Sequence, residues 1–184
     1  QLSAPARELL AEDPRIERRL GPDYLAALDD YDVIVKSPGI PVILPQYQEA
    51  LRAGRPVTSP TAIFFANFPG MLVGITGTKG KSTTSVLLAE ILSAAGLLTS
   101  AAGNLGVPPR LDESRPEERF VLELSSYQID LTHSLDCEVA VLLNITPDHL
   151  DRYANFEAYA ASKARLFSMQ STEHDAVIGI FDAP

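Results

Sequence analysis

The chain has 184 residues, enough to bury a core without disulfide staples, and its single cysteine, Cys137, excludes a disulfide framework and a cysteine-rich zinc site. Lys plus Arg number 15 against 24 Asp plus Glu, a net charge of −9 that argues against a general nucleic-acid binder. No apolar run approaches the roughly 20 residues that span a bilayer, and residues 1–20 lack a signal-peptide core. These features predict a protein of the reducing cytoplasm, with neither membrane nor nucleic acid as partner. Gln1 stands where a methionine would begin a chain, and Pro184 closely follows an apolar run, so the sequence reads as a piece of a longer protein.

In chain order, residues 32–35 read as a buried strand followed by a Ser37-Pro38-Gly39 turn. Residues 46–53 read as a helix closed by Gly54. Residues 55–60 are proline-rich and read as a strand and turn, and Asn67-Phe68-Pro69-Gly70 reads as a domain joint. Residues 71–75 form a second apolar strand. A glycine-rich loop follows, then a helix over 82–95 with Leu88, Ile91, Leu92 and Ala95 at helical spacing and Gly96 beyond its end. Residues 120–124 and 139–143 are further strands. Asn155 caps a helix reaching about Met169, and residues 176–180 are a last strand. Continuous apolar strands separated by helices predict an α/β fold with a mostly parallel sheet covered on both faces.

The loop Gly74-Ile75-Thr76-Gly77-Thr78-Lys79-Gly80-Lys81-Ser82-Thr83 lies between strand and helix, as a phosphate cradle must. Amides at a helix N-terminus bind phosphate, Lys81 reaches the terminal phosphates, and the Ser82 hydroxyl holds Mg²⁺. The strict pattern wants a glycine where Ile75 stands; the glycines fall instead at 74, 77 and 80.

Ligands of open α/β sheets collect at the carboxyl ends of strands. Glu123 lies inside an apolar run and needs a cation, for which Mg²⁺ is the natural candidate. Asn144 ends a strand, and the following Thr146-Pro147-Asp148-His149 offers His149 as a metal ligand or general base. Phe156, Tyr159, Ala160, Lys163 and Phe167 share one helical stripe, so Lys163 falls on the buried face. There it either snorkels to water or becomes a neutral amine able to add CO₂. Asn104 sits in a second glycine-flanked loop, Gly103-Asn104-Leu105-Gly106. His133, His174 and Cys137 read as structural.

Together, residues 76–83, Ser37-Pro38-Gly39-Ile40, Gly103-Asn104-Leu105-Gly106, Leu122-Glu123-Leu124-Ser125-Ser126-Tyr127-Gln128 and Asn144-Ile145-Thr146-Pro147-Asp148-His149-Leu150-Asp151-Arg152 resemble the Mur ligases, ATP-dependent amide-bond synthetases. The Glu-Leu-Ser-Ser-Tyr-Gln run resembles the branch that adds D-glutamate to UDP-N-acetylmuramoyl-L-alanine. The resemblance covers residues 30–181. It implies that 1–68 belong to a Rossmann-like UDP-sugar domain and 69–184 to a central P-loop ATPase domain, with a third domain missing. It implies an acyl-phosphate mechanism with two Mg²⁺ sites: Ser82 and Glu123 at one, His149 and a carbamylated Lys163 at the other. It also implies that residues 77–83 hold ATP, that Asn104 lies near the reacting carboxylate, and that Ser37, Pro38 and Gly39 meet the UDP end of the substrate. A monomer is expected. The family usually has asparagine where Lys79 stands. Readings left open are a sister ligase, an amidating enzyme on the same domain, a non-catalytic ATP-binding module and a small-molecule kinase.

Overall fold

A computed structural model describes residues 13–41, 43–106, 111 and 114–179. The chain divides into two compact units, one of residues 1–34 and 42–56, the other of 35–41 and 57–184.

In the first unit a single 3₁₀ turn, Leu28–Asp30, precedes helix α1, Pro45–Arg52. Proline at the first turn of α1 costs no hydrogen bond there. Tyr47 and Ala50 are its buried residues, and the Arg55 guanidinium donates to the carbonyls of Asp29 and Tyr31. Strand β2, Val57–Thr58, and the Val35 end of β1, Ile34–Val35, fall in the second unit, where they pair as a small sheet. The run 32–35 is not buried throughout as expected: Val33 and Val35 are 53% and 54% exposed, because only alternate residues of a short strand can face inward.

The second unit is built on a five-stranded sheet. Its strands are β3, Met71–Thr76; β4, Thr99–Gly103; β5, Arg119–Glu123; β6, Val139–Leu142; and β7, Asp175–Ile178. They are ordered β4-β5-β3-β6-β7, and every pairing is parallel. The helices are α2, Pro60–Asn67; α3, Lys81–Ala94; α4, Ser126–Asp130; and α5, Phe156–Ser168.

The alternation of β3 divides the core between the two faces of the sheet. Leu72 joins Leu122, Leu124, Ala140, Leu166 and the α2 aromatics Phe64, Phe65 and Phe68. Val73 and Ile75 join Val121 and Ala89 of α3 on the other face. The α3 stripe is rotated from the expected one, since Ile91 is exposed and the inward line runs through Ser85, Leu88, Ala89 and Leu92. Residues 67–70, expected as a domain joint, lie inside the second unit, where Phe68 stacks on Phe64 and meets Phe120 edge-on.

Gly74 belongs to the strand rather than to a phosphate cradle. A Cβ there would lie 2.7 Å from the Cys137 sulfur and 3.2 Å from Leu124 Cδ1. The glycine makes room for the buried thiol, whose ionisation burial pushes far up. Asn155 caps α5 as expected, accepting from the Ala158 N–H at 2.8 Å. The last strand falls close to where the sequence places it, as β7 at Asp175–Ile178 with every residue exposed; Ile180 of the expected range lies outside the described residues.

Candidate functional site

The central strand β3 runs into the loop 77–80, and α3 starts at Lys81. The neighbouring strands end at the same side. In register, Gly103, Glu123, Ile75 and Val141 form one row across β4, β5, β3 and β6. The segments that follow them therefore converge: 104–106, 124–128, 77–83 and 144–149. The expectation that the polar groups lie at strand ends holds in the geometry.

Two glycines shape the loop. Gly77 has φ +154, and a Cβ there would sit 3.2 Å from Leu143 Cβ and 3.3 Å from the Asn144 carbonyl. Gly80, with φ +83, is the residue preceding α3. A left-handed turn at this point aims the free amides of the helix start outward. Lys79, Gly80, Ser82 and Thr83 are exposed, and Lys81 is half-buried with its ammonium donating to the Thr78 carbonyl at 3.1 Å. The loop thus presents exposed backbone, two lysines and two hydroxyl residues at the amino end of a 14-residue helix. That is anion-binding chemistry.

Glu123 is 2% exposed. Its Oε1 accepts from Asn104 Nδ2 at 2.9 Å, and its Oε2 is buried with no hydrogen-bond partner among the described residues. The Asn104 N–H also donates to the Glu123 carbonyl at 2.9 Å, so the second glycine loop is held against β5 by both main chain and side chain. Gly103 permits this approach: φ is +95, and a Cβ would collide with the Glu123 carbonyl. An orphaned carboxylate oxygen beside a phosphate-type loop fits a hard cation such as Mg²⁺. No cluster of three or more His, Cys, Asp or Glu able to hold a metal occurs among the described residues. A cation at Glu123 would rely on hydroxyl, water or ligand oxygens for its remaining bonds, the arrangement Mg²⁺ favours.

Lys163 is 2% exposed, on the inner face of α5. Its ammonium donates to Thr76 Oγ1 at 3.2 Å, which in turn donates to the Leu124 carbonyl at 2.9 Å. It lies 4.9 Å from the centre of the Tyr159 ring. Burial, aided by the nearby Lys81 charge, lowers its pKa to about 8. Among the described residues it has no ion-pair partner, so it neither snorkels nor pairs. Its neighbours on the stripe are mixed: Tyr159 is buried, whereas Phe156, Ala160 and Phe167 are half-buried.

His149 is exposed and is the one non-glycine residue with positive φ among the described residues, at +53. Its N–H donates to Asp148 Oδ1 at 2.8 Å, which holds the turn. The imidazole lies against Tyr127 and Tyr159 at centroid distances of 5.0 and 5.9 Å. Arg152 covers the other ring, 4.3 Å from the Tyr127 centroid, and reaches the Gly39 carbonyl at 3.4 Å. The Ser37-Pro38-Gly39 turn is thereby brought to the segment that carries His149.

Sequence reasoning missed Arg152 and Tyr127 as a stacked pair and Asn144 as a loop contact. Their residue types offer no signal, since each acts through tertiary geometry. The His174 imidazole lies 2.7 Å from Asp136 Oδ1, and the Ser171 hydroxyl and N–H, with a smaller part from His174, hold the Asp136 carboxyl below the usual carboxylate range.

Residues 75–184 match the Mur ligase middle domain. The UDP-N-acetylmuramoylalanine–D-glutamate ligase of Novosphingobium aromaticivorans is 52% identical over 155 residues, 81% of this chain and 35% of that one. Its namesake from Sphingopyxis alaskensis is 45% identical over 198 residues, covering 100% of this chain and 46% of its own. The chain thus spans between a third and half of these relatives. Among solved structures, the UDP-N-acetylmuramate:L-alanyl-gamma-D-glutamyl-meso-diaminopimelate ligase from Neisseria meningitides superposes with a TM-score of 0.57 at 24% identity. That match covers 84% of this chain and 54% of the neighbour, a likeness of fold.

Proposed function

The chain belongs to the Mur ligase family, and from that premise we propose that its parent protein is an ATP-dependent ligase joining D-glutamate to UDP-N-acetylmuramoyl-L-alanine in cell-wall precursor synthesis. The observation that carries the reading is the convergence of the Lys81 loop, orphaned Glu123 and buried Lys163 on adjacent strand ends. It occurs in a chain 52% identical to a relative named for that reaction. The proposed setting is the cytoplasm, with the protein monomeric and bound to neither membrane nor nucleic acid. In this reading the first compact unit belongs to the UDP-sugar domain, and the five-stranded sheet with the α2 aromatics packed on it to the ATPase domain.

The chemistry follows from the groups present. A substrate carboxylate oxygen attacks the γ-phosphorus of ATP and ADP leaves, giving an acyl phosphate. The D-glutamate amine then attacks the acyl carbon; inorganic phosphate leaves and the amine proton passes to solvent or a nearby base. The loop amides of residues 77–83 bind the phosphates, and Lys81 exchanges its Thr78 carbonyl for phosphoryl oxygen, offsetting the charge that spreads over the transferring group. Ser82 and Glu123 would hold one Mg²⁺; His149 and a carbamylated Lys163 would hold a second. Bound there, the ions would neutralise phosphate charge and orient the two oxygens. Near pH 8 a substantial fraction of the Lys163 amine is neutral, the form that adds CO₂ to give a carbamate and a proton. Asn104 and the Ser37-Pro38-Gly39 turn are assigned to the substrate.

The test is phosphate release by the full-length protein with Mg·ATP and UDP-N-acetylmuramoyl-L-alanine, adding amino acids singly. Release that requires D-glutamate and vanishes in Lys81→Ala is expected. Release with another amino acid would move the protein to a sister ligase. Nucleotide binding without amino-acid-dependent release would make it a binding module, and phosphate transfer without amide formation a kinase.

A further inference from the structure

Asn144 follows β6 and touches three consecutive residues of the phosphate loop. Its carboxamide forms a closed pair with the main chain of residue 79: Oδ1 accepts the Lys79 N–H at 2.9 Å, and Nδ2 donates to the Lys79 carbonyl at 2.9 Å. Its own carbonyl accepts the Thr78 N–H at 3.1 Å and lies 3.3 Å from where a Cβ of Gly77 would be. Two residues on, Thr146 completes the seam, its N–H donating to Thr78 Oγ1 at 3.0 Å and its carbonyl accepting from that hydroxyl at 3.1 Å.

We propose that Asn144 is a positioning residue that sets the shape of the nucleotide loop through the backbone of residue 79 and ties that loop to the segment carrying His149. The proposal rests on the nucleotide reading above. Only a carboxamide suits the place, because the position requires one acceptor and one donor side by side. An aspartate would keep the acceptor but set a second oxygen against the Lys79 carbonyl. The clamp reads main chain alone, so it accommodates the Lys79 side chain, which stays exposed. Without the clamp, the loop would have to be ordered by the nucleotide itself, and that ordering would weaken binding.

The experiment compares the full-length wild type with Asn144→Ala, Asn144→Asp and, as a structural comparator, Asn155→Ala. Asn155 also bonds main chain through its side chain, but at the start of α5. Mg·ADP affinity is measured by calorimetry, with the KM for each substrate and amide exchange at residues 78–80. Both Asn144 variants should weaken Mg·ADP at least about tenfold, Asn144→Ala through the loss of two hydrogen bonds and Asn144→Asp through the loss of one and the repulsion of two facing oxygens. They should raise the KM for ATP, leave the KM for the UDP-linked carboxylate unchanged and speed exchange at residues 78–80. Asn155→Ala should melt earlier with ADP affinity retained. If Asn144→Ala does not fold, the nearly isosteric Asn144→Asp decides. Wild-type ADP affinity in a folded Asn144 variant, or equal rises in both KM values, overturns the clamp. Failure of the wild type to bind Mg·ADP overturns the nucleotide reading instead.

Discussion

Replacing Glu123 by glutamine should make the nucleotide-free protein more stable while removing its activity. Glu123 is buried, and one of its carboxylate oxygens has no hydrogen-bond partner among the described residues. An unsatisfied buried polar group costs about 1–3 kcal/mol, more when charged. Glutamine keeps an oxygen to accept from Asn104 Nδ2 and removes the charge. It leaves an N–H in the tight place, so the gain is set at the lower end, about 1–2 kcal/mol. A chain of this size or larger shifts its melting temperature by roughly 2–4 °C per kcal/mol, so the ligand-free variant should melt a few degrees higher. With Mg·ADP at a hundred times its dissociation constant, the wild type should gain about 2.7 kcal/mol by mass action. The variant, lacking its cation ligand, should gain much less, so the order of stabilities reverses. Differential scanning fluorimetry of both proteins with and without Mg·ADP reads all four values. A ligand-free variant that melts with or below the wild type would refute the claim that Glu123 is held in an uncompensated state, and equal Mg·ADP shifts would refute its role toward the cation.

Two further outcomes are expected. Lys163→Ala should abolish amide formation in the full-length enzyme and recover part of it with added short carboxylates, which would occupy the place of the carbamate; full activity without them would refute the modification. Gly74→Ala should cost about 1–3 kcal/mol through its clash with the Cys137 sulfur. In a Cys137→Ala background the cost should fall measurably, and additive costs in urea unfolding would show that the contact at 2.7 Å is not what excludes a side chain.

Much of this architecture is legible in the sequence because its signals are local. The continuous apolar runs of β3 and β5, the glycines at 77 and 80 and the Asn155 cap each specify their own conformation. Helical spacing places Lys163 on the inner face of its helix but leaves open whether the amine snorkels to water; the packing of α5 on β3, which buries it at 2% exposure, decides that. The rotation of α3, which leaves Ile91 exposed, was not, because all four candidate residues are apolar and only the sheet chooses among them. The role of Gly74 was misread for a related reason: a glycine beside a phosphate motif and a glycine making room for a distant thiol are the same letter. Asn144, Tyr127 and Arg152 act across gaps of tens of residues, on partners such as Lys79 and Gly39, which spacing along the chain does not reveal.

The strand order has a consequence for how such a chain is made. The central strand β3 leaves the ribosome before either of its neighbours, β5 and β6, and the outer strand β4 precedes β5, beside which it lies. At about 5–20 residues per second, β3 waits on the order of seconds with a run of apolar side chains and an unpaired backbone on both edges. Parallel pairing at long sequence separation is slow to form, so a nascent chain halted before residue 119 would have α2 and α3 to cover the faces of β3 but no strand on either of its edges. Translation speed between β3 and β5, and the chaperones that meet the chain there, should therefore govern its yield more strongly than substitutions that merely alter the stability of the finished fold.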